Sequence, residues 1–512
     1  MKTTLNTPTR IKNHMLFILI ALLLLPGYSL TGSVPGGEEI TDNNITAAVE
    51  AELLFNTTTP SNMINVMTDE GIVTLSGSVG NILAKDRAAK VARSIKGVKG
   101  VVNLIEVDAP ERTDNALKQD VHDALLFDPA TDSYEVEVEV NEGVVMLTGT
   151  VDSWQEKQLC SFVARGVEGV TDVVNQVTID TDAERDDYEI MQEVKEVIDN
   201  DIRVDNALIE VAVDNGRVTL SGTVGSETEK FQAISDAWVN GVRSVNAENL
   251  EVESWARDDR MRKDKYVAKS DSEVKDAILK AFYYDPRVKS FNPGVEVNNG
   301  VVTLSGSVDN LKAKRSAEED ARNVVGVFAV ENNISVDPGI LPSDKEIKNN
   351  VRSAMIRDPY VENFEVNIGV ENGIVTLKGT VDTFYEKIQA EDVASRVRGV
   401  VTVDNDINVL DDYDYSYYNY YGWNTSYPPY YFDFDRSYKT DVELKEDINN
   451  QLWWSPYVNQ DEVTVVVENG RAILTGTVDT EREKLFAEIN AIEAGAMVVD
   501  NNLSVEYGQN TK

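Results

Sequence analysis

Apolar and polar residues alternate from Glu135 to Val140. Val136, Val138 and Val140 fall on one side and Glu135, Glu137 and Glu139 on the other, which predicts a strand with one wet face. Close behind comes Gly143-Val144-Val145-Met146-Leu147-Thr148-Gly149-Thr150-Val151. This nine-residue phrase occurs six times, starting at Gly71, Gly143, Gly216, Gly300, Gly373 and Gly470, with spacings of 72, 73, 84, 73 and 97 residues. A phrase returning at that period predicts six copies of one small unit. In the fourth copy Val302, Leu304, Gly306 and Val308 share one face, and Thr303, Ser305 and Ser307 the other. The second glycine thus sits in the apolar row, where a missing side chain admits a close helix backbone or a bulge.

Around each phrase the period changes to that of a helix. Val274, Ile278, Leu279 and Phe282 mark an apolar helix face. Ser270…Glu273, Ser343…Glu346 and Thr440…Glu443 have capping-box spacing, and Asp186…Glu189 matches it. These first helices end where Asp128-Pro129, Asp285-Pro286, Asp358-Pro359 and Ser455-Pro456 block them. Asn215-Gly216, Asn299-Gly300, Asn372-Gly373 and Asn469-Gly470 supply tight hairpin turns, with Glu-Gly in the first two units. A second helix starts at Ser153…Glu156, Ser226…Glu229, Thr383…Glu386 and Thr480…Glu483, and a left-handed cap is expected at Gly97, Gly169, Gly241, Gly326, Gly399 and Gly495. A β-rich segment closes the unit, as in 327–336 and 400–409.

The fold class is therefore α+β: six tandem two-layer αββαβ domains, each with two helices on one face of a three-stranded sheet. The expected boundaries are 38–109, 112–181, 186–254, 269–338, 343–411 and 440–507, called units 1 to 6 below. Two linkers stand apart. Residues 255–269 hold Arg257, Arg260, Arg262, Lys263, Lys265 and Lys269 against Asp258, Asp259 and Asp264. This basic stretch reads as a solvated linker or a helix docked on an acidic neighbour, or as a contact for phosphate headgroups or lipopolysaccharide. Residues 411–438 carry ten of the 20 tyrosines, among them Tyr417, Tyr418, Tyr420 and Tyr421, together with Trp423 and several aspartates. Such an aromatic-acidic linker either stacks on glycans or a membrane interface, or folds back on its neighbours.

Composition narrows the function. With 88 acidic against 48 basic residues the formal charge is −40, which opposes binding to nucleic acid or anionic lipid. The one cysteine excludes an intramolecular disulfide framework and a cysteine-based zinc cluster. Lys2, Arg10 and Lys12 precede an eleven-residue apolar run, 15–25, broken by Pro26-Gly27. That run is short for a membrane span and suits a secretory signal within 1–33. Ser29-x-Thr31 or Thr31-x-Ser33 is the expected cleavage site, and no cysteine follows for a lipid anchor. Export to the periplasm is expected, with an uncleaved inner-membrane tether or secretion as alternatives.

Groups for catalysis are sparse. Of the two histidines, His14 falls in the leader and His122 on a predicted helix surface, while Cys160 aligns with Ala88, Ala317 and Ala390 as a small core residue. No nucleophile elbow, phosphate loop or EF-hand loop appears, so no catalytic residue, metal ligand or cofactor is expected. Asp186-Asp187 and Asp411-Asp412 read as caps or solvated pairs, with loose divalent-cation binding as the alternative. Lys85, Lys157, Lys230, Lys314, Lys387 and Lys484 recur at one place in the second helix, either as solvated residues or as a shared contact point.

The G-x-V-x-L-x-G-x-V phrase, the Gly-Val that follows the second helix (Gly97-Val98, Gly169-Val170, Gly241-Val242, Gly326-Val327, Gly399-Val400) and the helix-ending Asp-Pro together resemble the BON domain, named for bacterial osmotically inducible and nodulation proteins. Unit 3 lacks the proline, and unit 6 has Ala472 and Ala496 where valine is usual. The resemblance implies an αββαβ fold, an envelope location, a non-enzymatic role in osmotic tolerance or envelope integrity, and phospholipid or envelope-protein partners. A surface protein that contacts glycan or peptidoglycan through the tyrosine-rich linker is the alternative.

Overall fold

The computed structural model describes residues 40–506, apart from 56–62, 132–133, 181–184, 258–268, 340–341, 362–365, 382–383, 410–439 and positions 456, 469 and 497. Thr41–Lys512 form one compact unit of the chain. In unit 1 the order is α1 (Asp42–Phe55), β1 (Ile64–Asp69), β2 (Ile72–Val79), α2 (Ile82–Arg93) and β3 (Gly100–Val107). The recurring phrase forms the central strand β2, antiparallel to β1 and parallel to β3. The other units repeat this plan. Their helices are α3 (Asp114–Phe127) and α4 (Trp154–Arg165), α5 (Asp187–Asn200) and α6 (Glu227–Asp236), α7 (Asp271–Tyr284) and α8 (Leu311–Arg322), α9 (Asp344–Arg357) and α10 (Phe384–Ser395), and α11 (Asp441–Trp454) and α12 (Glu481–Glu493).

The apolar row of each central strand is buried as its alternation requires: Val73 and Leu75, Val145 and Leu147, Val302 and Leu304 are all fully covered. The first helices of units 4, 5 and 6 start with complete capping boxes at Ser270, Ser343 and Thr440. Those of units 2 to 6 end with the C-cap at Asp128, Asp201, Asp285, Asp358 and Ser455. Unit 3 stops at that point without a proline.

Three details differ from the sequence expectation. The second glycine of the phrase avoids a strand, not a helix. A Cβ on Gly77, Gly149, Gly222 or Gly476 would lie about 2 Å from the backbone carbonyl of Met63, Glu135, Leu208 or Glu462 on the paired strand, and all four have positive φ. The glycines after the second helix do have positive φ, but most sit in the following loop; α2 ends at Arg93 with its cap at Ser94, ahead of Gly97. In α4, α6 and α12 the glutamate of the expected box reaches one residue further back. Glu156, Glu229 and Glu483 accept from the amides of Asp152, Gly225 and Asp479 rather than from the cap itself.

Candidate functional site

Acidic residues repeat in the structure as backbone clamps. The aspartate at the first position of each first helix accepts from the amides of a hairpin turn nearly 30 residues later. Asp42 takes Glu70 and Gly71, Asp187 takes Asn215 and Gly216, and Asp344 takes Asn372 and Gly373, at 2.8–3.1 Å. Asp114, Asp271 and Asp441 repeat the contact. Asp186 beside it caps α5. Both members of Asp186-Asp187 are thus engaged with backbone. Glu462, Asp479 and Glu483 bring carboxylate oxygens within 4.8 Å of one another, and Glu483 accepts from the Asn459 and Asp479 amides. Glu229 makes the same pair of bonds, to Asp205 and Gly225. A second occurrence points to a structural tie.

The recurring lysine marks a clamp that the sequence reading passed over. Asn103, Asn175, Asn332, Asn405 and Asn501 donate to the backbone carbonyls of Lys85, Lys157, Lys314, Lys387 and Lys484 at 2.7–2.9 Å. Their own oxygens accept from the amide two residues on. In unit 3 a register shift between Asn246 and Asn249 takes the place of this clamp. The signal in the sequence was an asparagine 17 or 18 residues after each of these five lysines.

Cys160 is wholly buried, and burial pushes its thiol up to about 12. His122 is exposed beside Asp123. Of the basic candidates, Arg257 ends a short 3-10 helix, Ser254–Arg257. Arg260, Arg262, Lys263, Lys265, Tyr417, Tyr418, Tyr420, Tyr421 and Trp423 lie outside the described residues.

What the structure brings together is the set of second helices. The start of α2 meets the end of α4, where Asp86 pairs with Arg165 at 2.7 Å and Ile82 joins the core of unit 2. The start of α4 meets the segment just after α6: Trp154 stacks on Trp238 with ring centres 5.4 Å apart, and Gln155 donates to the Trp238 carbonyl. The start of α6 returns to the end of α2, where Thr228 donates to the Arg93 carbonyl and Arg93 lies over the Phe231 ring. Units 1, 2 and 3 therefore close a triad.

Units 4 to 6 repeat this at two junctions. Leu311 enters the core of unit 5 as Ile82 enters that of unit 2. Lys312 pairs with Asp392 at 2.7 Å; burial works against that carboxylate's charge, but Arg396 and Lys312 hold it well below the usual range. Arg482 at the start of α12 donates to Asn323 after α8.

The triads join through equivalent backbone bonds. Lys96, Glu168 and Val325, each just before a positive-φ glycine, donate to the carbonyls of Trp454, Arg357 and Asn200, each the last residue of a first helix. These bonds link units 1 and 6, 2 and 5, and 3 and 4. That pairing order is the one a threefold axis crossed by twofolds would generate from two triads running 1-2-3 and 4-5-6. A buried bidentate pair, Arg287 with Asp128, adds a link between units 4 and 2.

Comparison with known proteins agrees with this repetition. The model of the family described as BON domain matches residues 41–109, 113–181, 186–254, 270–338, 343–411 and 440–507. Osmotically-inducible protein Y of Escherichia coli (strain K12) is 36% identical over 148 residues, 28% of this chain and 74% of that protein. Outer membrane lipoprotein DolP of Haemophilus influenzae is 36% identical over 117 residues, 22% of this chain and 60% of that protein. Among solved structures, CdsD, a structural protein of the type III secretion system of Chlamydia trachomatis, aligns with 40% of this chain and 90% of its own at 16% identity and a TM-score of 0.12.

Proposed function

The chain belongs to the BON domain family through all six of its units, and on that premise we propose that it is an exported, non-enzymatic scaffold of the bacterial envelope that protects against osmotic or envelope stress. The observation that carries the proposal is the joining of six family domains into one body. The ends of several second helices are taken up in mutual contact, which leaves the outward sheet faces, the exposed helix flanks and the linkers for partners. The names of two relatives point the same way, one to osmotic induction and the other to the outer membrane.

Phospholipid and envelope proteins are the partners this proposal favours. A chain of charge −40 is repelled by anionic headgroups, so lipid contact has to use an uncharged face or the basic stretch 255–269. No helix among the described residues is long and apolar enough to cross a membrane.

Cell fractionation, with the mature N-terminus located by mass spectrometry, tests the export claim. The expected result is an envelope-fraction protein and a deletion strain that loses viability on osmotic shock. A cytoplasmic protein whose loss leaves shock survival unchanged overturns it.

A further inference from the structure

The six units differ most on the sheet face turned away from their helices. In unit 2 that face carries Glu135, Glu137, Glu139 and Asp172, and in unit 5 Lys378, Asp404 and Asp406, all exposed. Unit 1 is different. Strand register sets Met67, Thr74 and Val102 in one row and Asn65, Ser76 and Leu104 in the next. Ile72 lies at one end and Met63 just beyond the other. The exposures are 64% for Met67, 43% for Val102, 59% for Leu104, 46% for Ile72 and 57% for Met63. Charge enters this face only at its margins, with Asp69 beside Ile72 and Glu106 beside Ser78.

We propose that this outward face of unit 1 is where the protein docks on a lipid bilayer; the inference rests on the envelope reading above and gives its lipid contact a place. The side chains are flexible aliphatics and thioethers on a flat surface, which suits the boundary between headgroups and acyl chains. Three strands at ~4.8 Å spacing and six to eight residues at ~3.4 Å give a face of roughly 300 Å². A stable complex with a second copy needs about 800 Å² on each partner. The face is therefore too small to hold a dimer and large enough for shallow insertion.

Charge permits this unit without singling it out. Residues 41–109 contain eight acidic and six basic residues and 270–338 eleven and eight, against fourteen and three in 113–181. Repulsion from a membrane surface is thus weak at unit 1.

The test is flotation of the whole mature chain with phosphatidylcholine vesicles and with phosphatidylcholine–phosphatidylglycerol vesicles, at low and high salt, beside the variant Met67→Glu/Leu104→Glu. Both substituted residues are exposed, so the variant's unfolding curve should match the wild type. The expected result is co-flotation with both vesicle types, unchanged by salt, and roughly tenfold weaker in the variant. Equal flotation of the variant overturns the face while leaving lipid binding standing. Binding lost at high salt also overturns it and points to the basic stretch 255–269. If the wild type floats with neither vesicle, the lipid contact itself fails, whatever fractionation says of export. A variant that dissociates a dimer, with no vesicle binding by either protein, reassigns the face to self-association.

Discussion

Arg287 and Asp128 lie 159 residues apart in the chain and form a buried bidentate pair, with both guanidinium nitrogens 3.0 Å from the carboxylate oxygens. Both residues belong to the loops that end first helices, Arg287 in unit 4 and Asp128 in unit 2. Removing one partner leaves the other charge buried without its counterion. Arg287→Ala or Asp128→Ala should lower stability by about 3–5 kcal/mol, whereas Arg287→Met with Asp128→Leu should cost far less. Urea unfolding followed by circular dichroism reads the difference, and equal losses in single and double variants would count against a paired role.

Ile82 starts the second helix of unit 1 but is buried in the core of unit 2. Ile82→Ala should cost about 2–5 kcal/mol. Hydrogen exchange should speed up at Val145 and Leu147 in unit 2. Acceleration confined to unit 1 would mean that the helix does not cross the joint.

Asp358 holds the same loop position as Asp128 but accepts from the Gln389 amide and the Tyr360 and Val361 backbone, with the Arg396 charge acting on it from nearby. Burial raises its carboxyl to about 6. A carboxyl raised on folding binds its proton more tightly in the native state. Its stabilising contribution is therefore complete below about pH 4 and is lost as pH rises through about 6. Asp358→Asn should be more stable than wild type at pH 7, by up to about 3 kcal/mol, with the gap closing near pH 4. Chemical unfolding at pH 4, 5, 6 and 7 reads this, and a gap that does not vary with pH would contradict the assignment.

Asp187 clamps the amides of Asn215 and Gly216 at 2.8 Å. Asp187→Ala should cost about 1–2 kcal/mol. Exchange of those two amides should rise well beyond that of the neighbouring strand. Unchanged protection at the turn would show that the carboxylate does not hold it.

Much of one unit was legible in the sequence, because its signals are local. The alternation of Val302, Leu304 and Val308, the cap at Ser343 and the stop at Asp358-Pro359 each act within a few residues. The second glycine was placed on the right face, but alternation cannot tell which backbone crosses it, and a strand carbonyl does so instead of a helix. The asparagine clamp left only a spacing, visible once Lys85 and Asn103 are seen as a pair. The joints were not legible. Ile82 and Trp154 look like any apolar residues at a helix start, and nothing nearby says that one fills a neighbour's core and the other stacks on a neighbour's tryptophan. The pairing of units depends on contacts between residues 125 to 358 positions apart.

The central claim, that six BON units form one joined body, is tested most directly across the longest joint. Lys96 of unit 1 donates its amide to Trp454 of unit 6 at 3.2 Å and sets its ammonium 4.7 Å from the Trp453 ring centre. Cysteines at these two positions, Lys96→Cys and Trp453→Cys, can be bridged by a short bis-maleimide, while buried Cys160 stays unreactive. The joined body predicts rapid cross-linking within single chains at high dilution. Six units strung freely on their linkers would give no such product, or only cross-links between chains, and either result would contradict the claim.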